Sequence, residues 1–127
     1  MTSQSRRVIL CVDDDPDALE TRKSILTNAG YDVLAVPDAQ HALQAFNSEN
    51  IQLVVIDYFL PGITGTEVAA EMKRVRPNLP IVLVSGITEN PQGLEHVDLF
   101  VTRLEYPTLF LAEIAAVLAS SATPRVA

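Results

Sequence analysis

Five short apolar runs alternate with longer amphipathic stretches along this chain. The runs cover residues 8–12, 32–36, 53–57, 81–85 and 98–102. They are rich in β-branched residues and are continuous rather than alternating, which is typical of parallel strands covered on both faces. The second run begins with a charged residue and is less apolar than the first, and we expect it at an edge of the sheet.

The amphipathic stretches predict helices over residues 15–31, 38–50, 64–77 and 106–121. The first stretch begins with Asp15 as an N-cap and Pro16 at the first helical position, and it closes on the stop signal Asn28-Ala29-Gly30. Apolar residues at helical spacing predict the inward faces. These positions are Leu19, Ile25, Leu26 and Ala29; Ala39, Ala42, Leu43 and Phe46; Val68, Ala69, Met72 and Val75; and Leu111, Ile114, Val117 and Leu118.

The segment after the fourth run differs from the others. Its sequence, GITENPQGLEHVD, has Pro91 and Gly93 where a helix would belong, so any helix there must be short or irregular. The two ends, residues 1–6 and 120–127, are polar or small in composition. We expect them to be flexible tails around one folded domain at 7–119.

Strands that alternate with helices predict a doubly wound α/β fold with a parallel sheet. Sites in such folds lie beyond the carboxyl ends of the strands. That rule selects a small set of candidates in this chain: Asp13, Asp14 and Asp15 after the first strand, Asp57 at the end of the third, Ser85 at the end of the fourth, and Thr102 and Arg103 after the fifth.

Three of these carboxylates, on Asp13, Asp14 and Asp57, are expected to converge at one edge of the sheet. Two unit charges about 4 Å apart repel by roughly 4 kcal/mol at an effective dielectric of about 20, so the cluster needs compensation. A hard divalent cation with oxygen ligands provides it, and Mg²⁺ suits a site with few carboxylates and several waters. The alternative is a solvated acidic loop at the end of the strand.

The composition of the chain argues against several classes of function. The chain has 127 residues, 48% of them hydrophobic, and a formal net charge of −7. This suits one domain with a sizeable core, and the acidic balance argues against direct binding to nucleic acid or to an anionic membrane surface. The sequence has no apolar run long enough to span a bilayer, and its one cysteine, Cys11, sits inside an apolar run as a small buried hydrophobe. We therefore expect a soluble cytoplasmic protein.

Three segments carry a family resemblance. They are VILCVDDDP, LVVIDYFLPGITGTEV and LPIVLVSG, and together they make the chain resemble the receiver domain of two-component response regulators from residue 7 to about residue 118. The middle segment is the most specific, because Leu60, Pro61, Gly62 and Gly65 match the family's loop after the phosphorylated aspartate. The resemblance implies a flavodoxin-like five-stranded sheet of order 2-1-3-4-5, like that of single-domain chemotaxis regulators.

The resemblance also implies site roles. Asp57 would accept a phosphoryl group from a histidine kinase or a phosphotransfer protein. The carboxylates of Asp13, Asp14 and Asp57, with the backbone carbonyl of Phe59, would bind Mg²⁺. Ser85 would contact the phosphoryl oxygens. Such a domain is a switch that acts on a downstream protein, rather than an enzyme.

The chain departs from the family pattern after the fifth strand. The family has Lys-Pro there with a cis bond, whereas this chain has Arg103-Leu104. Arginine keeps the charge but has a planar and bulkier head, and a cis bond before leucine would cost about 3–4 kcal/mol, so we expect a trans bond. Arg103 is then either a phosphate ligand or a surface arginine. The segment between Ser85 and Arg103 is also shorter than is usual in the family.

Three other functions compete with the receiver, and the departures favour only the first of them. A pseudo-receiver would keep the fold but act as a binding module without phosphorylation. A Mg²⁺-dependent phosphatase with an aspartyl nucleophile would need a second Asp two residues after the first, where this chain has Phe59. A flavodoxin-like cofactor binder would need a phosphate loop after the first strand, and DDDP has the wrong charge. The sequence leaves open whether the chain forms a homodimer and whether it stands alone or belongs to a longer regulator.

Overall fold

Strands and helices alternate along the chain in the computed structural model, which describes residues 7–86, 91–102 and 107–122. The strands are β1 (Val8–Val12), β2 (Asp32–Val36), β3 (Leu53–Asp57), β4 (Phe59–Leu60), β5 (Ile63–Thr64), β6 (Ile81–Val84) and β7 (Leu99–Val101). The helices are α1 (Pro16–Asn28), α2 (Ala39–Ser48), α3 (Gly65–Val75) and α4 (Pro107–Ala122), with one 3₁₀ turn at Leu94–His96.

Five of the strands form a parallel sheet in the order β2-β1-β3-β6-β7. This confirms the predicted doubly wound fold with strand order 2-1-3-4-5, because β6 and β7 are the fourth and fifth predicted strands. Strand β2 lies at an edge of the sheet, as expected. Parallel pairing places the carboxyl ends of all five strands along one edge of the sheet, where the candidate residues lie.

Helices cover both faces of this sheet. Side chains of α2 and α3, such as Phe46 and Met72, pack with one buried cluster, and side chains of α1 and α4, such as Leu26 and Ile114, pack with the other. The predicted inward positions are buried or half-buried with two exceptions. Ala29 and Val75 are exposed because each lies at the C-terminal end of its helix, where the chain turns away from the sheet.

The start of α1 follows the sequence prediction. The Asp15 side chain accepts a hydrogen bond from the Asp17 N–H at 3.1 Å, and Pro16 is the first helical residue. Asp15 is therefore confirmed as the N-cap. At the other end Gly30 has a φ of +103°, which ends the helix in a conformation that favours glycine.

The segment after β6 contains a 3₁₀ turn in its described part, residues 91–98, rather than an α-helix. This agrees with the expectation of a short or irregular fourth helix. Gly93 has a φ of +85° and begins the turn, and the Asp98 carboxylate accepts hydrogen bonds from the Ile81 N–H at 2.8 Å and from Lys73 Nζ at 2.7 Å. Polar contacts therefore fix this segment against α3 and the start of β6.

At the C-terminal end, α4 continues to Ala122, three residues past the predicted domain boundary at 119. The predicted tail at 1–6 and the residues from 123 onward lie outside the described part of the chain. Among the described residues, none of the helices has the length and apolar character that crossing a bilayer requires.

Candidate functional site

Three carboxylates meet at the carboxyl edge of the sheet. Asp13 and Asp14 follow β1 directly, and Asp57 is the last residue of β3. The two strands pair in parallel with Val12 opposite Ile56, so the residues that follow them leave the sheet side by side. One carboxylate oxygen from each of Asp13, Asp14 and Asp57 lies within 4.8 Å of the others. The structure thus brings together the three acidic residues that the sequence selected.

The three carboxylates differ in their surroundings. Asp13 is buried, Asp14 is exposed, and Asp57 is half-buried. Burial raises the pKa of the Asp57 carboxyl to about 6, the negative charge of Asp13 adds to that rise, and Arg22 and the Phe59 N–H oppose it. Burial is the larger cause, because desolvation disfavours the charged carboxylate, and the crowding of negative charges that the sequence predicted adds to it.

Both oxygens of Asp13 have partners within the protein. Oδ1 accepts a hydrogen bond from the Asp15 N–H at 2.9 Å, and Oδ2 accepts one from Arg22 Nη1 at 2.6 Å. The arginine is 6% exposed, so this is a buried ion pair. It anchors α1 to the end of β1 and neutralises one of the three charges.

Sequence analysis missed Arg22 as a site residue, although a signal was present. Arg22 lies three residues after Leu19 and four before Leu26, on the face of α1 that packs against the sheet. A charge on an apolar helix face must find an opposite charge or leave the core. The DDD run precedes Arg22 in the sequence, and its first residue, Asp13, lies nine positions earlier.

The loop after Asp57 holds that residue in place. Strands β4 and β5, of two residues each, form an antiparallel hairpin. The Phe59 N–H donates to Asp57 Oδ2 at 3.1 Å. The Gly65 N–H donates to the Tyr58 carbonyl at 2.7 Å. A Cβ on Gly65 would lie 2.2 Å from the Asp57 carbonyl oxygen, so glycine alone allows α3 to begin this close to the site.

Helix α3 is fixed at its first turn by a capping box. The Thr64 hydroxyl accepts from the Glu67 N–H at 3.2 Å, and the Glu67 carboxylate accepts from the Thr64 N–H at 2.9 Å. The sequence TGTE therefore encodes the start of the helix that packs behind Asp57. The resemblance had identified this loop as a motif, and the structure gives the physical reason for its residues.

Ser85 lies at the same edge, on the neighbouring strand. Asp57 pairs with Val84 in the register of β3 and β6, and Ser85 is the next residue, buried, with its N–H donating to the Val101 carbonyl at 3.1 Å. Thr102 follows β7 and is exposed. Arg103 and the bond before Leu104 lie outside the described residues, so the expectations for them stay predictions.

Cys11 lies inside β1 and is fully buried, as predicted. Burial raises the pKa of its thiol to about 12, which keeps the sulfur protonated and unreactive at neutral pH. The cysteine is a packing residue of the sheet and takes no part in the acidic site.

The donor set of the site fits Mg²⁺. The ion prefers hard oxygen ligands and retains waters, and the three carboxylates supply oxygens from two strand ends at one exposed edge. Asp14 is the most accessible of the three, whereas Asp13 already carries the Arg22 ion pair. The carbonyl of Phe59 belongs to the hairpin residue whose N–H contacts Asp57.

Comparisons with known proteins agree with the fold and identify a family. The family model for the response regulator receiver domain matches residues 9–102. One relative is the uncharacterized transcriptional regulatory protein YrkP of Bacillus subtilis, 38% identical over 89 residues. That match covers 68% of this chain and 38% of YrkP. The chain thus corresponds to well under half of that relative's length.

Solved structures show the same architecture. A CheY-like receiver domain protein from Methanospirillum hungatei JF-1 superposes with a TM-score of 0.85 at 27% identity, covering 92% of this chain and 97% of its own. The response regulator TrrA from Thermotoga maritima, solved in complex with Mg²⁺-BeF, gives 0.82 at 27% identity, covering 87% of this chain and 98% of its own. TrrA is also solved in complex with the histidine kinase ThkA.

The family model covers most of the chain and includes all three clustered carboxylates and Ser85. The sheet order and the overall superposition agree with that assignment independently of the local motifs. This chain belongs to the response regulator receiver domain family of two-component signalling.

Proposed function

We propose that this receiver accepts a phosphoryl group on Asp57 in a Mg²⁺-dependent reaction and signals the change to another protein. The observation that carries the proposal is the meeting of the Asp13, Asp14 and Asp57 carboxylates within 4.8 Å at the edge of the sheet. A bound Mg²⁺ would supply positive charge that neutralises an incoming phosphoryl group and the carboxylate that attacks it.

The residues of the chain have distinct parts in this proposal. Asp57 is the nucleophile, fixed by the Phe59 N–H on one oxygen and by the close approach of Gly65 behind its carbonyl. Asp13, Asp14, Asp57 and the Phe59 carbonyl would hold the ion. Ser85 would donate to a phosphoryl oxygen from the adjacent strand, and Arg103 would add positive charge.

The donor in this proposal is a histidine kinase or a phosphotransfer protein. The complex of TrrA with its kinase supports this, because TrrA shares the fold over 88% of this chain. The chain would act as a stand-alone cytoplasmic switch on a downstream protein, rather than as an enzyme with a substrate of its own. The alternative of a longer regulator is supported by the relatives of greater length.

Intact-protein mass spectrometry tests the proposal. The chain is incubated with Mg²⁺ and a small acyl phosphate, beside Asp57→Asn and a chelated sample. We expect the parent chain to gain one phosphoryl group and the other two samples to gain none. Asp17→Asn is the matched control, since Asp17 lies in the first turn of α1 and is outside the carboxylate cluster. It should gain the group like the parent.

One observation favours a second candidate, a pseudo-receiver that binds partners without phosphorylation. The Arg22 ion pair already compensates Asp13, so the acidic cluster has a partial counter-charge of its own. The same experiment separates the two functions. A parent chain that gains no phosphoryl group, from the acyl phosphate or from a phosphorylated histidine donor, would contradict phosphoacceptance and support the pseudo-receiver.

A further inference from the structure

The buried ion pair between Arg22 and Asp13 places a cation of the protein on one of the carboxylates that would hold Mg²⁺. Arg22 Nη1 donates to Asp13 Oδ2 at 2.6 Å, and the arginine is only 6% exposed, so solvent and salt screen this charge pair much less than a surface pair. The other oxygen of Asp13 accepts the Asp15 N–H. A metal ion that binds this carboxylate must therefore compete for two oxygens that both already accept hydrogen bonds.

The guanidinium group is incompletely satisfied in this position. Among the described residues, Arg22 Nε is a buried side-chain nitrogen without a hydrogen-bond partner. A buried N–H without a partner is costly, so the position is held by the Asp13 contact rather than by a full set of bonds. Weakening that one contact removes the main reason for the guanidinium to stay.

A cavity next to Arg22 offers the group an alternative position. It has a volume of about 260 Å³ and lies between the start of α1 and the ends of β6 and β7. Its lining includes Arg22, Thr21, Ser85 and Thr102, so it presents hydroxyl oxygens that can accept guanidinium N–H groups. The cavity opens from the same edge of the sheet as the carboxylate cluster.

We propose that Arg22 competes with the divalent cation for Asp13, so that binding of the metal displaces the guanidinium into the cavity beside Ser85 and Thr102. Arg22 then sets the metal affinity of the site and couples metal occupancy to the first turns of α1. This inference rests on the proposed metal site, and it adds a positioning residue that sequence analysis did not identify.

The test is a Mg²⁺ titration of the full chain followed by ¹H–¹⁵N NMR, with the Asp15 and Phe59 amides as reporters of the site. The variants are Arg22→Met, Arg22→Lys and Lys23→Met. Lys23 is exposed on the same helix, so Lys23→Met removes one positive charge without touching Asp13. We expect Arg22→Met to bind Mg²⁺ about tenfold more tightly than the parent, the scale of one charge-assisted hydrogen bond.

The controls separate the contact from the general charge. Lys23→Met should keep the parent affinity within about twofold, since an exposed charge is screened by solvent and salt. Arg22→Lys keeps a cation near Asp13 and should restore most of the parent affinity. A common affinity for the parent and Arg22→Met would overturn the competition while leaving the metal site intact. Failure of every variant to bind Mg²⁺ would overturn the metal site and the competition together.

A second measurement uses the parent chain alone, so it does not depend on whether an Arg22 variant folds. The Arg22 side-chain protons of the parent chain are followed during the same titration. Saturating Mg²⁺ should speed the exchange of the guanidinium protons with water, because the group leaves the buried Asp13 carboxylate for a cavity that the exposed Thr102 lines. Protons that stay equally protected at saturation would show that the guanidinium remains on Asp13, and this would overturn the proposal.

Discussion

The carboxyl edge of the sheet is built in two different ways on its two sides. On the side of β1 and β3, backbone contacts leave almost no freedom: Gly65 approaches the Asp57 carbonyl so closely that a Cβ has no room, and a capping box fixes α3. On the side of β6 and β7, the described residues 91–98 contain only the 3₁₀ turn Leu94–His96 and are held mainly by polar contacts of side chains. One such contact joins the Gln92 N–H to the Tyr58 hydroxyl at 3.4 Å.

This difference indicates which side of the edge carries the chemistry and which side changes conformation. The β1 and β3 side holds the carboxylates, and any displacement there would change distances between like charges. The β6 and β7 side is joined to it through Tyr58, whose carbonyl accepts from Gly65 and whose hydroxyl accepts from Gln92. Local opening is easiest where backbone hydrogen bonds are few and exposed, so we expect the 3₁₀ side to change conformation first.

The largest effect is expected from Gly65→Ala. The new Cβ would lie 2.2 Å from the Asp57 carbonyl oxygen and 3.0 Å from its carbon, and both atoms belong to the backbone of a buried strand. We expect the free energy of unfolding in urea to fall by at least about 3 kcal/mol, at the upper end of overpacking effects.

Gly62→Ala is the matched control for that change. Gly62 lies in the same loop with a φ of +76°, and a Cβ there meets nothing within 4 Å. Gly62→Ala should lower the free energy of unfolding only by the backbone strain, about 1–2 kcal/mol. If both variants lost the same free energy of unfolding, the backbone next to Asp57 could move to accept the new Cβ. The β1 and β3 side would then not be rigid.

Gly93→Ala should have a smaller and more local effect on the other side of the edge. Gly93 has a φ of +85°, and its Cβ would lie 2.8 Å from Thr66 Cβ and Oγ1. The backbone strain resembles that of Gly62→Ala, and the close contact with Thr66 adds to it. We therefore expect the free energy of unfolding to fall by about 2 kcal/mol.

Amide hydrogen exchange locates that effect. In Gly93→Ala, exchange should accelerate at the His96 and Val97 amides, which bond within the 3₁₀ turn, and should stay unchanged at the Gly65 amide. Acceleration at Gly65 as well would show that the two sides open together. The division between a rigid chemical side and a looser side would then be wrong.

The sequence was informative wherever one local rule determined the outcome. Alternation of apolar runs and amphipathic stretches is sufficient to predict a parallel sheet, and parallel strands bring their carboxyl ends together. Asp13, Asp14 and Asp57 could therefore be grouped before any coordinates. Asp15 could be separated from them because proline at the next position marks a helix start.

The parts that sequence analysis missed depend on contacts between distant segments. The β4–β5 hairpin arises because the chain must return to place Gly65 against Asp57, which no periodicity shows. Arg22 was missed because the helix stripe was identified from apolar residues alone, and its partner is nine positions away. A charged residue on an apolar face close to an acidic run is the signal that would have indicated the pair.

The smallest predicted effect concerns pH and measures the cost of ionising Asp57 in the folded protein, to which burial contributes most and the Asp13 charge adds. Burial and the Asp13 charge raise the Asp57 pKa from 3.8 to about 6 in the folded state, so the folded protein binds this proton more tightly than the unfolded chain. Stability from this group is present below pH 3.8 and is lost as pH rises through about 6. Asp57→Asn removes the ionisation.

In chelated buffer, we therefore expect Asp57→Asn to be more stable than the parent at pH 7–8 and equal to it near pH 4. Solvent around a half-buried group reduces the difference to about 1 kcal/mol. Thermal unfolding across this range measures it. Asp38→Asn is a control of opposite sign, because the His41 N–H lowers the Asp38 pKa and its stabilisation is lost only as pH falls. If Asp57→Asn followed the parent at every pH, neither burial nor the Asp13 charge would disfavour the ionised Asp57 carboxyl in the folded protein, and the predicted pKa rise would be wrong.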